Sequence, residues 1–294
     1  MKPVAFDYVR PASISEACRL LAADDGARII AGGQTLIPLL AMRLARPARL
    51  VDIARIPELA FIRDDADGVR IGSMTRQCVA ERDATAARKL PLLAKALPWV
   101  GHPPTRQRGT IGGSIANGDP AAEIPLVAVT LEAVITVQDA VGIAEIAAGE
   151  FYLGPMITAL ADDGIVTEVR FPAWDSGRVG TGFHEISARS SDFAFVAAAA
   201  QVALDAGGCC TALAVGIGGA GDTPVRLEAL SEALVGSHLG ETEVRDAVAA
   251  ACSDLETADD LHASAAYRKR VAATLARRAI LDARDEAVGG RHAG

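Results

Sequence analysis

The chain has few cysteines, and their spacing does not suit a metal cluster. Five cysteines stand among 294 residues, and no two of them are separated by two residues as in the common metal-binding and redox pairs. Cys209 and Cys210 are adjacent, which favours neither a shared metal ion nor a relaxed disulfide. An odd, scattered set is typical of a reducing compartment, where buried cysteine acts as a small apolar residue. The sequence therefore predicts a cytoplasmic protein that ligates no iron–sulfur cluster and no other metal by itself.

Basic and aromatic residues are also scarce. The formal net charge is −8 and aromatic residues make up 4% of the chain, whereas nucleic-acid binding needs a basic surface and rings for base stacking. The most apolar stretch, which begins at Phe193, is too short and too rich in alanine to span a bilayer. The N-terminus lacks the apolar segment of a signal peptide. We therefore expect a small-molecule or protein partner, no nucleic acid and no membrane span.

Helix and strand patterns alternate along the chain. Ser13 and Glu16 form a capping box for a first helix. The strands "ARIIA" and "RLVDI" then enclose the helix "LIPLLAMRL", which is the order of a βαβ unit. Asp67-Gly68 predicts a hairpin, and the Pro- and Gly-rich residues 171–182 predict a linker. Three strands and three helices follow, and the basic residues of the last helix are expected to face solvent.

Two glycine pairs are the most informative motifs. "AGGQTL" (Ala31–Leu36) and "TIGGS" (Thr110–Ser114) are each expected to be a loop at the end of a strand. Glycine permits positive φ and lets successive backbone N–H groups converge on an anion, so two such loops suit the diphosphate of a dinucleotide. Neither pair carries the Lys of a P-loop or completes G-x-G-x-x-G, and Glu123 is suited to a ribose hydroxyl. Spacing alone leaves simple turns equally open.

Longer stretches resemble a known family. "AGGQTLIPLLAMRLARPARLVDI" and "RGTIGGSIANGDPAAEIPLVAVTLEAVI" resemble the FAD-binding medium subunit of molybdenum hydroxylases, and the likeness extends through "GFHEISARSSDFAFVAAAAQV" and "SAAYRKRVAATL". The resemblance implies an α+β fold. Residues 1–176 would form a two-subdomain FAD-binding domain of the vanillyl-alcohol-oxidase (PCMH) type, divided at about residue 55 into 1–55 and 56–176. Residues 177–294 would form a smaller α+β domain like that of the carbon monoxide dehydrogenase flavoprotein.

The resemblance also implies a cofactor site. Both glycine segments would wrap the pyrophosphate of non-covalently bound FAD, and Glu123 would bind the adenosine ribose where relatives commonly have Asp. His184 stands where relatives often have Lys, and Asp192 and Phe193 would lie near the flavin ring. The expected cofactor-binding residues are Ile29, Ile30, Ala31, Gly32, Gly33, Gln34, Thr35, Leu36, Gly101, His102, Thr110, Ile111, Gly112, Gly113, Ser114, Asn117, Glu123, Ile165, Val166 and His184.

The implied function is electron transfer in an oxidoreductase. A small 2Fe–2S subunit would pass electrons to FAD for delivery to an external acceptor, while a large molybdopterin subunit would act on the organic substrate. These subunits would assemble as a dimer of heterotrimers, and no residue of this chain would serve as catalytic acid, base or nucleophile. Three alternatives stay open: a free-standing FAD-dependent oxidase or reductase with its own substrate pocket, a Rossmann NAD(P) dehydrogenase, and a scaffold that has lost its cofactor.

Overall fold

The first part of the molecule is a small parallel sheet with two helices. The computed structural model describes residues 2–174 and 177–289. The first elements are β1 (Asp7–Val9), α1 (Ile14–Ala22), β2 (Ala27–Ile30), α2 (Leu36–Met42) and β3 (Arg49–Asp52). The strands pair in parallel in the order β1-β3-β2, which confirms the predicted βαβ unit. Ser13 caps α1 by accepting a hydrogen bond from the N–H of Glu16, as the capping box predicts.

The second part is an antiparallel sheet covered by short helices. Its strands are β4 (Ile62–Asp65), β5 (Gly68–Gly72), β6 (Val134–Gln138), β7 (Ile143–Ala147), β8 (Tyr152–Gly154), β9 (Ile157–Thr158) and β10 (Ile165–Phe171). Its helices are α3 (Gln77–Arg82), α4 (Ala84–Lys89), α5 (Pro91–Ala96), α6 (Pro103–Arg108), α7 (Ile111–Asn117), α8 (Glu123–Thr130) and α9 (Ala148–Phe151), with 3-10 turns at Pro57–Leu59 and Leu97–Trp99. The main sheet has the order β4-β5-β10-β6-β7, and the β4–β5 hairpin is the predicted one.

The third part is a four-stranded antiparallel sheet backed by helices. Its elements are β11 (Arg178–Ile186), β12 (Val196–Leu204), β13 (Cys210–Gly218), β14 (Val225–Arg226), α10 (Glu228–Leu234), α11 (Glu241–Ser253) and α12 (Ala265–Gly289). The strands pair in the order β11-β12-β13-β14. The three expected strands correspond to β11, β12 and β13 and the three expected helices to α10, α11 and α12, whereas the two-residue strand β14 was not expected.

The predicted linker at residues 171–182 is wrong at both ends. Phe171 ends β10 and residues 178–182 belong to β11, while residues 175–176 lie outside the described part. The glycines that suggested a linker serve close packing instead. A Cβ built at Gly182 would lie 2.0 Å from the carbonyl oxygen of Ala279, so only glycine lets α12 lie directly on this strand.

Apolar packing joins the second and third parts. Phe183 and Ala197 of the third sheet belong to the same buried cluster as Leu93 and Leu126 of the helices before it. The Phe183 ring also lies 6.0 Å from the ring of Trp99. Because this core is shared, helices α5 and α8 are held against β11 and β12.

The long helix α12 departs from the expected solvent-facing basic pattern at one position. Arg268 is 6% exposed, and its guanidinium donates to the carbonyl oxygens of Phe195 and Gly219 while pairing with Asp260. A buried arginine is tolerated when its N–H groups find such acceptors. Among the helices of the described residues, α12 included, none is long and apolar enough to cross a membrane.

Candidate functional site

The two glycine segments border one cavity of about 710 Å³, a volume usual for a small-molecule site. Most of the residues expected to bind a cofactor line it, and three do not. Those lining it are Ile29, Ala31, Gly32, Gly33, Gln34, Thr35, Leu36, Gly101, His102, Thr110, Gly112, Gly113, Ser114, Asn117, Glu123, Ile165 and Val166. The structure does not place Ile30, Ile111 or His184 in the cavity wall.

The first glycine segment, Ala31–Leu36, connects β2 to α2 and is an open turn. Gly33 has a φ of +71°, a conformation that glycine adopts without strain. Among the described residues, no acceptor bonds the N–H groups of Gly32, Gly33 or Gln34, and the Thr35 hydroxyl makes no capping bond. Successive free N–H groups in a glycine turn can bind an anion.

The second glycine segment, Thr110–Ser114, corrects the sequence prediction. It was expected to be a loop at the end of a strand, but it follows helix α6 and forms the first turn of α7. Thr110 is the N-cap of that helix, and its hydroxyl accepts a hydrogen bond of 3.0 Å from the N–H of Gly113. Threonine at this position satisfies a donor that the helix leaves free, and so stabilises the first turn.

The N–H groups of this second segment are used inside the protein. Those of Ile111 and Gly112 donate to the carbonyls of Thr75 and Ser73 at 3.0 and 2.9 Å. Gly113 and Ser114 therefore line the cavity, while the N–H groups of Ile111 and Gly112 are not available to a ligand. A Cβ built at Gly113 would lie 3.9 Å from that of Ala31, so the two glycine segments face each other closely.

Two buried polar residues are among the cavity residues that the sequence reasoning missed. Ser73 and Gln77 are 3% and 5% exposed, and both line the cavity. Within the described residues, Ser73 Oγ and Gln77 Oε1 have no hydrogen-bond partner. A buried polar atom without a hydrogen bond costs about 1–3 kcal/mol of folding free energy. A ligand that hydrogen-bonds these two atoms would remove this cost. The sequence feature that could have indicated these two residues is the polar run "GSMTRQ" at the end of a buried strand.

Glu123 is the buried acid of the cavity. It is the first residue of α8 and is 9% exposed. Its pKa is raised to about 7, chiefly by burial and also by the negative charge of Asp119, while a hydrogen bond from its own backbone N–H and the positive charge of Arg106 oppose the change. Burial also raises the pKa of Asp119, which lines the same cavity. Near neutral pH this wall can therefore offer a carboxylate to hydroxyl donors.

His184 lies outside the cavity, contrary to the expectation. Its ring Nε2 is 2.7 Å from Oδ2 of Asp282 on helix α12. Side chains of a strand alternate between two faces, and on β11 the face of His184 is the one that α12 covers. Ile111, which is fully buried, belongs to the apolar core behind the second glycine segment.

An apolar wall lies opposite the polar residues. Ile165 and Val166, at the start of β10, are buried and line the cavity. Ser191, Asp192 and Phe193 reach the same cavity from the segment between β11 and β12, and Phe193 is 75% exposed. The cavity thus combines apolar side chains with donors and a carboxyl, which suits a ligand with aromatic and polar parts.

Comparison with known proteins accounts for this arrangement. Residues 4–174 match the family described as "FAD binding domain in molybdopterin dehydrogenase". Residues 181–283 match "CO dehydrogenase flavoprotein C-terminal domain". The chain belongs to this family of FAD-binding subunits of molybdenum hydroxylases.

Whole-length relatives of this family are similar to the chain. The 6-hydroxypseudooxynicotine dehydrogenase complex subunit alpha of Paenarthrobacter nicotinovorans is 39% identical over 96% of each chain. The carbon monoxide dehydrogenase medium chain of Afipia carboxidovorans is 35% identical over 95% of this chain and 97% of its own. The crystal structure of quinoline 2-oxidoreductase from Pseudomonas putida 86 superposes with a TM-score of 0.92 at 35% identity, covering 98% of this chain and 99% of that one.

The resemblance stated from the sequence is therefore confirmed. The chain is an FAD-carrying oxidoreductase subunit of the molybdenum hydroxylase family, with the α+β fold of its medium subunits. This result contradicts the Rossmann alternative. It also accounts for the free donors of the first glycine segment and the unpartnered atoms of Ser73 and Gln77, since the residues present fit a large polar cofactor.

Proposed function

We propose that the cavity between the two glycine segments is the FAD site and that FAD binds there without a covalent bond. The observation that supports it best is the set of unsatisfied groups in one cavity wall. The N–H groups of Gly32, Gly33 and Gln34 would donate to the pyrophosphate, and Ser73 and Gln77 would add side-chain contacts.

Other residues of the chain would bind, orient and shield the cofactor. The Glu123 carboxylate would accept hydrogen bonds from ribose hydroxyls, and Ile165 and Val166 would exclude water from the ring system. FAD, when bound, supplies the ability to take electrons singly and release them singly or in pairs. The chain's own part is to hold the cofactor and leave the rim beside Phe193 open to an acceptor.

The assembly is part of the proposal. Relatives are medium subunits of multi-subunit dehydrogenases, and we infer that this chain joins a small 2Fe–2S subunit and a large molybdopterin subunit as a dimer of heterotrimers. We also infer cytoplasmic location, which the five free thiols support, and domains at 1–176 and 177–294, which the separate sheets support. Native mass measurement on untagged protein from its own host should show two copies of each subunit, and a fully active lone chain would contradict the assembly.

The FAD site is tested by removing an unpartnered hydroxyl. Ser73→Ala should weaken FAD binding about fivefold, because it deletes a hydrogen bond of roughly 1 kcal/mol. The same change should leave the apoprotein as stable or more stable, since it deletes a buried polar atom that has no partner. Fluorescence titration of apoprotein with FAD and melting without FAD measure the two effects.

Ser231→Ala is the matched control. Ser231 is also buried, at 5% exposed, but its hydroxyl donates to the carbonyl of Leu227 at 3.1 Å, far from the cavity. This variant should melt earlier and bind FAD normally. If Ser73→Ala behaves like Ser231→Ala, the proposed site is wrong. Flavin that stays with the pellet after acid precipitation, or is FMN, would contradict non-covalent FAD.

A further inference from the structure

One carboxylate connects three elements from the second and third parts of the molecule. Oε2 of Glu286, near the end of α12, accepts hydrogen bonds from the backbone N–H and the hydroxyl of Thr181 on β11, at 3.0 and 3.1 Å. The same oxygen pairs with the ammonium group of Lys95 on α5, which also donates to the carbonyl of Thr181 at 2.6 Å. Each of these three residues contacts the other two, and we call the set the clamp.

The clamp satisfies backbone groups at the edge of a sheet. In the sheet β11-β12-β13-β14 of the described residues, β11 is an outer strand, whose outward N–H and C=O groups need other partners. Thr181 is fully buried, so leaving these groups unbonded would be costly. Although burial acts to raise the pKa of Glu286, the hydrogen bonds from Lys95 and Thr181 outweigh it and hold the pKa below its usual value. The carboxylate is therefore charged at neutral pH.

A second contact lies beside the clamp. Lys95 and Trp99 are four residues apart, across the end of α5 and the 3-10 turn that follows it, which separates them by about 6–7 Å. Thr181 and Phe183 share one face of β11 and are also about 6–7 Å apart. The rings of Trp99 and Phe183 lie 6.0 Å from each other. The helical segment therefore follows the strand, held by one polar contact and one aromatic contact.

Cavity residues follow both contacts in the chain. Directly after Trp99 come residues 100–102, which line the cavity. On the other side β11 runs to Ile186, and the loop that follows carries residues 191–193, which also line the cavity. The base of this loop is closed, since the N–H of Phe195 donates to the carbonyl of Ile186 at 2.7 Å. The two segments that the clamp joins thus each lead to one group of cavity residues.

We propose that the clamp sets the position of residues 100–102 relative to residues 191–193, and that Glu286 is its positioning residue. This inference rests on the proposed FAD site, whose wall includes both groups. None of the three clamp residues lines the cavity, so they act on FAD through the segments that they join. Without the carboxylate, α5 and β11 are less firmly held together, and FAD binding has to order them. The clamp thereby pre-organises the site, which raises affinity without adding a contact to the ligand.

The experiment measures FAD affinity of the full-length apoprotein by fluorescence titration, well below its melting temperature, together with melting without FAD. Glu286→Met keeps the length of the side chain and removes every acceptor, so FAD affinity should fall about tenfold. Glu286→Gln keeps an oxygen for Thr181 and loses the ion pair, so the fall should be about threefold.

Asp285→Asn is the matched control. It removes the same charge from the neighbouring residue of α12, whose carboxylate is 65% exposed and pairs with Arg284 of the same helix. Its FAD affinity should stay within about twofold of wild type, since it touches neither α5 nor β11.

A double-mutant cycle tests whether Lys95 and Glu286 act together. Lys95→Met should lower FAD affinity about as much as Glu286→Gln. The variant that carries both changes should lose less than the product of the two single losses, because both changes remove the same ion pair. These two variants decide the matter even if Glu286→Met does not fold.

The outcomes separate the clamp from the FAD site. Wild-type FAD affinity in Glu286→Gln and Lys95→Met, even with a lower melting temperature, would show that the cluster serves stability alone and would overturn the positioning role. An equal loss of affinity in Asp285→Asn would overturn it too, because the charge of α12 and not the clamp would then matter. Both results leave the FAD site intact, whereas a wild-type chain that binds no FAD overturns the site itself.

Discussion

The two glycine segments have similar sequences and different backbones. Ala31–Leu36 is a turn after a strand, with a positive φ at Gly33 and free N–H groups. Thr110–Ser114 is the start of a helix whose N–H groups are bonded to the protein. The comparison teaches that a glycine pair can serve two needs: conformational freedom in the first segment and close contact between chain segments in the second.

The largest expected effect is the loss of stability caused by Gly112→Ala. A Cβ there would lie 2.3 Å from Cβ and 2.6 Å from Cα of Ser73, and a backbone atom cannot move aside cheaply. Gly112→Ala should therefore destabilise the apoprotein by about 3 kcal/mol or more, lowering the melting temperature by roughly 6–12 °C. Thermal melting of the apoprotein measures this. A melting temperature equal to that of wild type would show that the second segment does not need the close approach of Gly112 to Ser73.

Gly32→Ala should act more on the cofactor than on the fold. Its Cβ would lie 2.4 Å from the carbonyl oxygen of Arg108, just before the second segment, and would push the two segments apart. We expect FAD affinity to fall by about a hundredfold, as for the loss of roughly 3 kcal/mol of binding free energy. Gly149→Ala is the control, because a Cβ there meets nothing within 4 Å. Equal FAD affinity in the two variants would contradict this view of the cavity.

The two threonines provide a finer test. Thr110→Val removes a helix cap and should lower stability by about 1 kcal/mol, or roughly 2–4 °C in melting temperature. Thr35→Val removes a hydroxyl without a capping bond, so stability should hold while FAD affinity falls about five- to tenfold. Melting and FAD titration should show mainly a loss of stability in Thr110→Val and mainly a loss of FAD affinity in Thr35→Val. If both variants lose the same property, the two segments do not differ in the way described.

The smallest effect should come from His184. Its contact with Asp282 is partly exposed, at 30% and 58% for the two side chains, and exposed pairs of this kind stabilise by about 0–1 kcal/mol. His184→Ala should therefore change FAD affinity by less than about twofold, in contrast to the role implied by the family resemblance. A tenfold loss of FAD affinity, measured by titration, would show that His184 does contribute to the cofactor site.

The first segment was predictable because its structure is local. The strand, glycine turn and helix follow one another in sequence, so periodicity and turn chemistry suffice. The second segment was not, because its helix depends on contacts of Gly112 and Ile111 with Ser73 and Thr75, more than thirty residues earlier. Ser73 and Gln77 were missed for the same reason.

The placement of His184 shows a different limit. Protein covers both faces of β11, so the strand has no solvent face whose polar residues would indicate its orientation. An error of one residue then exchanges the faces completely. Arg268 was mistaken for a surface residue because its acceptors, the carbonyls of Phe195 and Gly219, come from loops distant in sequence.

The position of α12 after the cavity residues in the sequence has a consequence for biosynthesis. Arg268 on this helix holds the carbonyl of Gly219, whose N–H donates to Pro120 just before the helix of Glu123. The ribosome therefore synthesises α12 only after every residue that lines the cavity. We expect stable flavin binding to need α12, so nascent chains stalled before residue 264 should not retain FAD, and stable retention by them would refute this order of events.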